Sequence, residues 1–150
     1  MILDTKYLIL DSFTGPNLQY TNQRIARFLF ENLDQYGDEE VHILKCLEYV
    51  FGKQEGKGGR IVLAIEGEEI MGAVVLNETG MGGYIPENIL VYIAIHKNFR
   101  GKGLGGQLMD KAIHHTKGAI ALHVEPDNPA KKLYERKGFT NKYLEMRLSR

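Results

Sequence analysis

The chain has no tryptophan, one cysteine, four prolines and no excess of either charge, with 19 basic residues balancing 19 acidic ones in 150. A single thiol, Cys46, excludes an intrachain disulfide and leaves no cysteine pair for a zinc site. Free cysteine is usually buried and inert, so Cys46 is given no catalytic work. His114 and His115 lack a partner at metal-ligand spacing and read as surface residues, so no metal is expected. The longest central run without a charge or strongly polar group, Ile89-Leu90-Val91-Tyr92-Ile93-Ala94-Ile95, has seven residues, whereas a bilayer-spanning helix needs ~20. The first residues carry Asp4 and Asp11 and lack a basic stretch ahead of an apolar one, so no secretory leader is expected. Neither half has a concentrated basic stripe interleaved with aromatics, which argues against a nucleic-acid partner. These absences describe a cytoplasmic protein with no membrane partner.

What is present is ordinary in bulk, 43% hydrophobic and 25% charged. That composition excludes a disordered, collagenous or coiled-coil chain, and the length suits one domain over residues 1–150. Zero net charge hides an asymmetry: residues 1–75 hold 7 basic against 12 acidic side chains, and residues 76–150 hold 12 against 7. Such polarity suits an anion bound by the second half and a cation by the first, although an uneven solvated surface gives the same pattern.

The periodicity describes alternating elements. Tyr7–Leu10 is short enough for an edge strand. Ile25, Phe28, Leu29 and Leu33 recur at helical spacing, and Gly37 is expected to stop that helix, with Asp38 capping the next. A second helix places Val41, Leu44, Leu47 and Val50/Phe51 on one stripe. Beyond a loop at Gly52–Gly59 the period changes. Ile61–Ile65 and Ile70–Leu76 flank Glu66-Gly67-Glu68-Glu69 as a β-hairpin. A strand at 89–95, a helix at about 103–117, a strand at 120–124, a helix at about 128–137 and a last strand at about 140–148 complete a mixed α/β sheet.

The most informative segment runs from Ile93 to Gly106. A buried strand enters a glycine-rich turn, Arg100-Gly101-Lys102-Gly103-Leu104-Gly105-Gly106, that opens an amphipathic helix. A helix start leaves four amides unpaired and carries partial positive charge; glycines let an anion reach those amides, and Arg100 and Lys102 add charge nearby. The letters also satisfy the dinucleotide fingerprint, with Glu125 at the end of the next strand. Only 25 residues follow Glu125, too few for a dinucleotide enzyme's remaining half. A P-loop would need Gly-Lys-Ser/Thr, which is absent. Further on, Asp127 or Asn128 caps a helix with Pro129 in its first turn, and Gly138 ends it.

Arg100-x-x-Gly103-x-Gly105 after a strand, followed by Asn128-x-Ala130-x-x-Leu133-Tyr134-x-x-x-Gly138-Phe139, resembles the GNAT superfamily of N-acetyltransferases. The blocks span about a third of the chain, and the element order fits. The resemblance implies an acyl-CoA-binding fold with a central, mostly antiparallel sheet, a splayed strand pair and about four helices. It implies acetyl transfer from acetyl-CoA to a primary amine of a small molecule or peptide by direct attack in a ternary complex. In that reading Arg100, Gly101, Lys102, Gly103, Leu104, Gly105 and Gly106 hold the pyrophosphate, and the backbones of Ile93 and Ile95 pair with the pantetheine arm. Tyr134 protonates or orients the leaving sulfur. Many relatives place the asparagine one residue earlier, where this chain has Asp127, so either Asn128 or Asp127 takes the asparagine's role near the cofactor. A base must deprotonate the amine, and His123, Glu87 and His96 are the candidates. Substrate choice falls to the first two helices, where Asp34, Asp38, Glu39 and Glu40 surround Tyr36; these acids suit a cationic amine or ordinary helix capping. A non-catalytic acyl-CoA- or partner-binding module of the same fold is the alternative, and the assembly leaves room for a homodimer.

Overall fold

The computed structural model describes residues 4–52 and 56–150. Its elements are β1 (Lys6–Leu10), α1 (Asn22–Asn32), a 3₁₀ turn (Asp34–Tyr36), α2 (Glu40–Val50), β2 (Gly59–Glu66), β3 (Glu69–Glu78), β4 (Asn88–Ile95), a 3₁₀ turn (Lys97–Phe99), α3 (Leu104–His114), β5 (Ile120–Leu122) and α4 (Ala130–Arg136). The five strands form one sheet in chain order, antiparallel from β1 to β4 and parallel between β4 and β5. This is the mixed α/β arrangement expected from the sequence, with β1 at an edge.

The sheet is buried on both faces. Ile25 and Leu29 of α1 and Ile43, Leu47 and Val50 of α2 cover one face, against Ile61, Leu63, Val75 and Tyr92. Leu104, Leu108, Met109 and Ala112 of α3 and Tyr134 of α4 cover the other, against Val62, Ala64, Val74 and Leu90. Strands β2 and β3 are therefore continuous apolar runs, as expected for strands with no wet side.

Several sequence expectations are corrected. Helix α1 ends at Leu33, and a 3₁₀ turn follows it before Gly37, which is extended rather than left-handed. Asp38 does not cap α2; Glu39 occupies that position without a side-chain hydrogen bond, because the Asp38 carboxylate accepts from the Tyr92 hydroxyl at 2.5 Å. Val41 is 63% exposed, and the buried stripe of α2 runs through Ile43, Leu47 and Val50 instead. Strand β5 stops at Leu122, two residues early, and the last strand at 140–148 does not form.

Strands β4 and β5 part company after three pairs. Asn88 staples their start: its amide nitrogen donates to the Lys117 and Ala119 carbonyls at 2.7 and 3.2 Å, and its backbone N–H to Ala119 at 3.1 Å. Pairing continues to Leu90↔Leu122 and then ceases. At the same level β4 carries a bulge: Tyr92 opposes Val75 and Leu90 opposes Leu76, leaving Val91 as the extra residue. Bulges sharpen local twist and bend a strand, and here the bend coincides with the divergence.

Candidate active site

The divergence exposes β4's backbone. His96 N–H donates to Met71 at 2.7 Å, which fixes the antiparallel phase and makes Gly72↔Ile95 and Val74↔Ile93 non-hydrogen-bonded pairs. The N–H and C=O of Ile93 and Ile95 consequently point away from β3, toward the side from which β5 has departed. The structure thus turns towards the gap the two backbones that the resemblance assigns to the pantetheine arm.

The glycine-rich turn lies at the end of this strand. His96 Nδ1 accepts the Asn98 N–H at 3.1 Å and starts the 3₁₀ turn. Gly101 and Gly103 then take φ of +76° and +81°, values that side-chain-bearing residues avoid. Gly103 precedes α3 with no side chain to cap it, and the first backbone bond of the helix is Gln107 N–H to Gly103 at 3.2 Å. The N–H groups of Leu104, Gly105 and Gly106 have no backbone acceptor among the described residues. Gly105 sits in the helix where a Cβ would meet Leu133 at 3.4 Å, so its smallness also serves α3–α4 packing. Three clustered amides at a positive helix end fit a pyrophosphate.

Arg100 behaves differently from the expectation of a freely available charge. Its Nε donates to the Ile95 carbonyl at 3.0 Å, one terminal nitrogen to the Asn32 carbonyl at 2.7 Å and the other to Asp34 Oδ2 at 3.2 Å. The Asn32 carbonyl belongs to the last turn of α1, where carbonyls lack helical partners. Lys97 also reaches Asp34, at 3.7 Å. Arg100 therefore clasps the α1–α2 connection to the turn, and Lys102 lies over the Phe99 ring at 5.7 Å.

Tyr134 is buried on α4 with its ring edge-on to Phe139, centroids 6.0 Å apart. Burial pushes its phenol up to about 12, with no hydrogen bond opposing the shift. The hydroxyl therefore keeps its proton across the neutral range. Neither Asp127 nor Asn128 holds the cap position of α4, which falls to Pro129 rather than leaving that residue in the first turn; Asn128 Oδ1 accepts from the Ala130 N–H at 2.9 Å from one residue further back. Asp127 instead offers its backbone carbonyl to the Tyr36 hydroxyl at 3.2 Å, joining the α1–α2 connection to the turn after β5.

The base candidates are dispersed. His123 is exposed just past the end of β5. Glu87 lies before the start of β4, where its Oε1 accepts the Ala119 N–H at 3.0 Å, and that bond draws its carboxyl below the usual glutamate range. It faces a cavity of about 310 Å³ lined by Glu78, Gly82 and Lys117, at the opposite end of β4 from the glycine turn. His96 is committed to its turn. Cys46 is inert as expected: burial raises its thiol to about 11, and Asn77 donates to its sulfur at 3.4 Å.

Two features escape the sequence reading. The Val91 bulge has no signature in an unbroken apolar run. The Asp38–Tyr92 pair does leave one, since a tyrosine inside that run needs a partner for its hydroxyl once buried. Burial and the adjacent Asp38 carboxylate both push the Tyr92 phenol up, so it stays a donor.

Residues 57–141, more than half the chain, match the acetyltransferase (GNAT) domain family. No curated protein matches the sequence. Among solved structures, the NatC complex bound to Gag peptide and CoA superposes with a TM-score of 0.66 at 19% identity, covering 92% of this chain and 86% of that one. A ribosomal-protein-alanine N-acetyltransferase from Brucella melitensis biovar Abortus 2308 gives 0.60 at 16% identity, covering 97% and 98%. An aminoglycoside acetyltransferase from an uncultured soil metagenomic sample, in complex with sisomicin, gives 0.59 at 15% identity, covering 97% and 94%. At these identities the structures speak for the fold alone. The sequence match, which runs across the turn, the gap and α4, establishes that the chain belongs to the GNAT family of acetyltransferases.

Proposed function

We propose that the chain, as one domain over residues 1–150, is a cytoplasmic N-acetyltransferase acting on a primary amine of a small molecule or peptide. The carrying observation is the combination of unpartnered amides at Leu104–Gly106, the Ile93 backbone and the Ile95 N–H turned away from β3, and a protonated phenol on α4. Acetyl-CoA, when bound, supplies the activated acetyl thioester. The amides hold its pyrophosphate, with Gly101 and Gly103 keeping side chains out of the way and Lys102 adding charge. Asn128 orders the start of α4, and thereby the placement of Tyr134. The Tyr134 hydroxyl donates its proton where the thiolate leaves, and its raised value keeps that proton available.

The acceptor enters as an ammonium and must lose a proton before attack. His123 suits this task better than Glu87, because it is exposed beyond the last β4–β5 pair, whereas Glu87 is tied to Ala119 and weakened as a base. The acids at Asp38, Glu39 and Glu40 favour a cationic acceptor. The test is acetyl-CoA-dependent thiol release across a panel of amines and N-terminal peptides, with acetyl-CoA binding measured separately by calorimetry. Turnover on one class identifies the acceptor; binding without turnover on any amine identifies a non-catalytic acyl-CoA-binding module and overturns the enzymatic reading.

A further inference from the structure

The connection between α1 and α2 is fastened at points on both sides of the gap. Arg100, after β4, holds the Asn32 carbonyl and Asp34; Tyr36 donates to the Asp127 carbonyl, beyond β5; and Asp38 accepts from Tyr92, within β4. Residues 32–38 therefore span the parted ends of β4 and β5. The sequence places Asp34, Asp38, Glu39 and Glu40 along this stretch, and all but Asp38 face a basic side chain. Asp34 pairs with Arg100 at 3.2 Å and Lys97 at 3.7 Å, Glu39 lies 4.0 Å from His42, and Glu40 pairs with Arg27 at 3.1 Å. The Asp38 carboxylate has no basic partner among the described residues; its hydrogen bond there comes from the neutral Tyr92 hydroxyl, at 2.5 Å.

The contacts of Asp38 do not account for its charge. A buried phenol needs an acceptor, which a carbonyl or a water supplies without a charge. An acid also favours a helix start, but Glu39 and Glu40 already stand at the start of α2, and no α2 amide reaches the Asp38 side chain. Asp38 is exposed, whereas Tyr92 is 7% exposed with its ring in the core beneath α1 and α2. A rigid core side chain thus pins one carboxylate oxygen, and Oδ1 is left without a hydrogen bond among the described residues.

We propose, on the acetyltransferase reading above and with Ile93 and Ile95 as the thioester's path, that Asp38 seats a second cationic group of the acceptor. The substrate is then an amine that also carries an ammonium or guanidinium, and Tyr92 is the residue that positions the carboxylate. Side chains stand roughly perpendicular to a sheet, so Tyr92 holds the carboxylate a tyrosine's length off β4, on the face covered by α1 and α2. The attacked nitrogen must come within ~3–3.5 Å of the thioester carbon, beside the strand itself. A carboxylate held off the strand meets a different atom of the acceptor, and an uncompensated charge there selects against an acceptor with no cation to match it.

The experiment uses the full chain and acceptors that differ by one charge: cadaverine against pentylamine, and a peptide with arginine at its second position against the same peptide with leucine there. Acetyl-CoA-dependent thiol release gives kcat and KM for each, and calorimetry with CoA present gives the acceptor's affinity. In the pair that turns over, the dication should have the lower KM and the tighter binding, by about three- to tenfold. That exceeds the usual exposed ion pair because Tyr92 has already fixed the carboxylate. The preference should shrink at high salt. Asp38→Asn keeps an acceptor for the Tyr92 hydroxyl and removes the charge; it should raise the dication's KM to that of its singly charged partner, with kcat changed less than about twofold. Tyr92→Phe keeps the charge and frees it, and should lose part of the preference, with thermal melting as the folding control for both variants. Equal KM values within both pairs overturn the proposal, as does a preference that survives Asp38→Asn; either result leaves the acetyltransferase reading standing. Turnover on no acceptor overturns both.

Discussion

A single torsion and a single hydroxyl carry most of the chemistry assigned to this chain. Gly103 has open space around the position of a Cβ, so a substitution there meets no clash. Its φ of +81° is the obstacle, since a β-branched residue in that region costs on the order of 1–3 kcal/mol. Gly103→Val should therefore distort the amides of the helix start and weaken acetyl-CoA by about ten- to a hundredfold, or ~1.4–2.8 kcal/mol. Calorimetric titration alongside circular dichroism measures both; wild-type affinity in the folded variant would place the pyrophosphate elsewhere. Tyr134→Phe tests the hydroxyl. Turnover should fall by roughly ten- to a thousandfold with acetyl-CoA affinity retained, as expected when an acid is lost and packing is kept. Unchanged kcat across the pH range would remove Tyr134 from the reaction.

At the scale of elements, Arg100 is the residue whose role changed most between sequence and structure. Its position in the glycine motif was legible, and so was the strand–turn–helix around it. Its partners were not, because Asn32 and Asp34 lie more than sixty residues away and nothing local marks them as a docking point. Removing the guanidinium leaves carbonyls of Asn32 and Ile95 short of a donor. Arg100→Ala should thus cost stability, about 1–2 kcal/mol after allowing for its partial exposure. Denaturant unfolding measures this, and a stable variant with weakened cofactor binding would return Arg100 to the phosphate. The same contrast runs through the fold. Strands β2 to β4 were readable because burial on both faces makes them unbroken apolar runs. The α2 stripe was misjudged by its starting residue, since Val41 and Ile43 are equally apolar and only the neighbouring α1 decides which faces inward. The missing strand at 140–148 has the right pattern but pairs with no other strand among the described residues, and periodicity alone does not supply that pairing.

For the whole molecule, one acid-sensitive tie fastens the start of β4 to the segment that enters β5. The Ala119 N–H holds the Glu87 carboxyl below its ordinary range. A depressed carboxyl contributes its stabilisation fully above the unfolded value of about 4.3 and loses it as pH falls through the folded one. Wild type should accordingly melt higher than Glu87→Gln at neutral pH, and the two melting curves should converge in acid. Parallel curves throughout would mean the bond contributes nothing. The clasp between Arg100, Asn32 and Asp34 has a different kind of reach. It fastens the segment where GNAT relatives are expected to differ in acceptor to the segment they use in common, so the two are not interchangeable parts. A chimera that imports a relative's α1–α2 connection to change specificity would strand Arg100 unless the graft also brings a carbonyl and a carboxylate to the positions of Asn32 and Asp34. Recombination within this scaffold should succeed or fail at that junction.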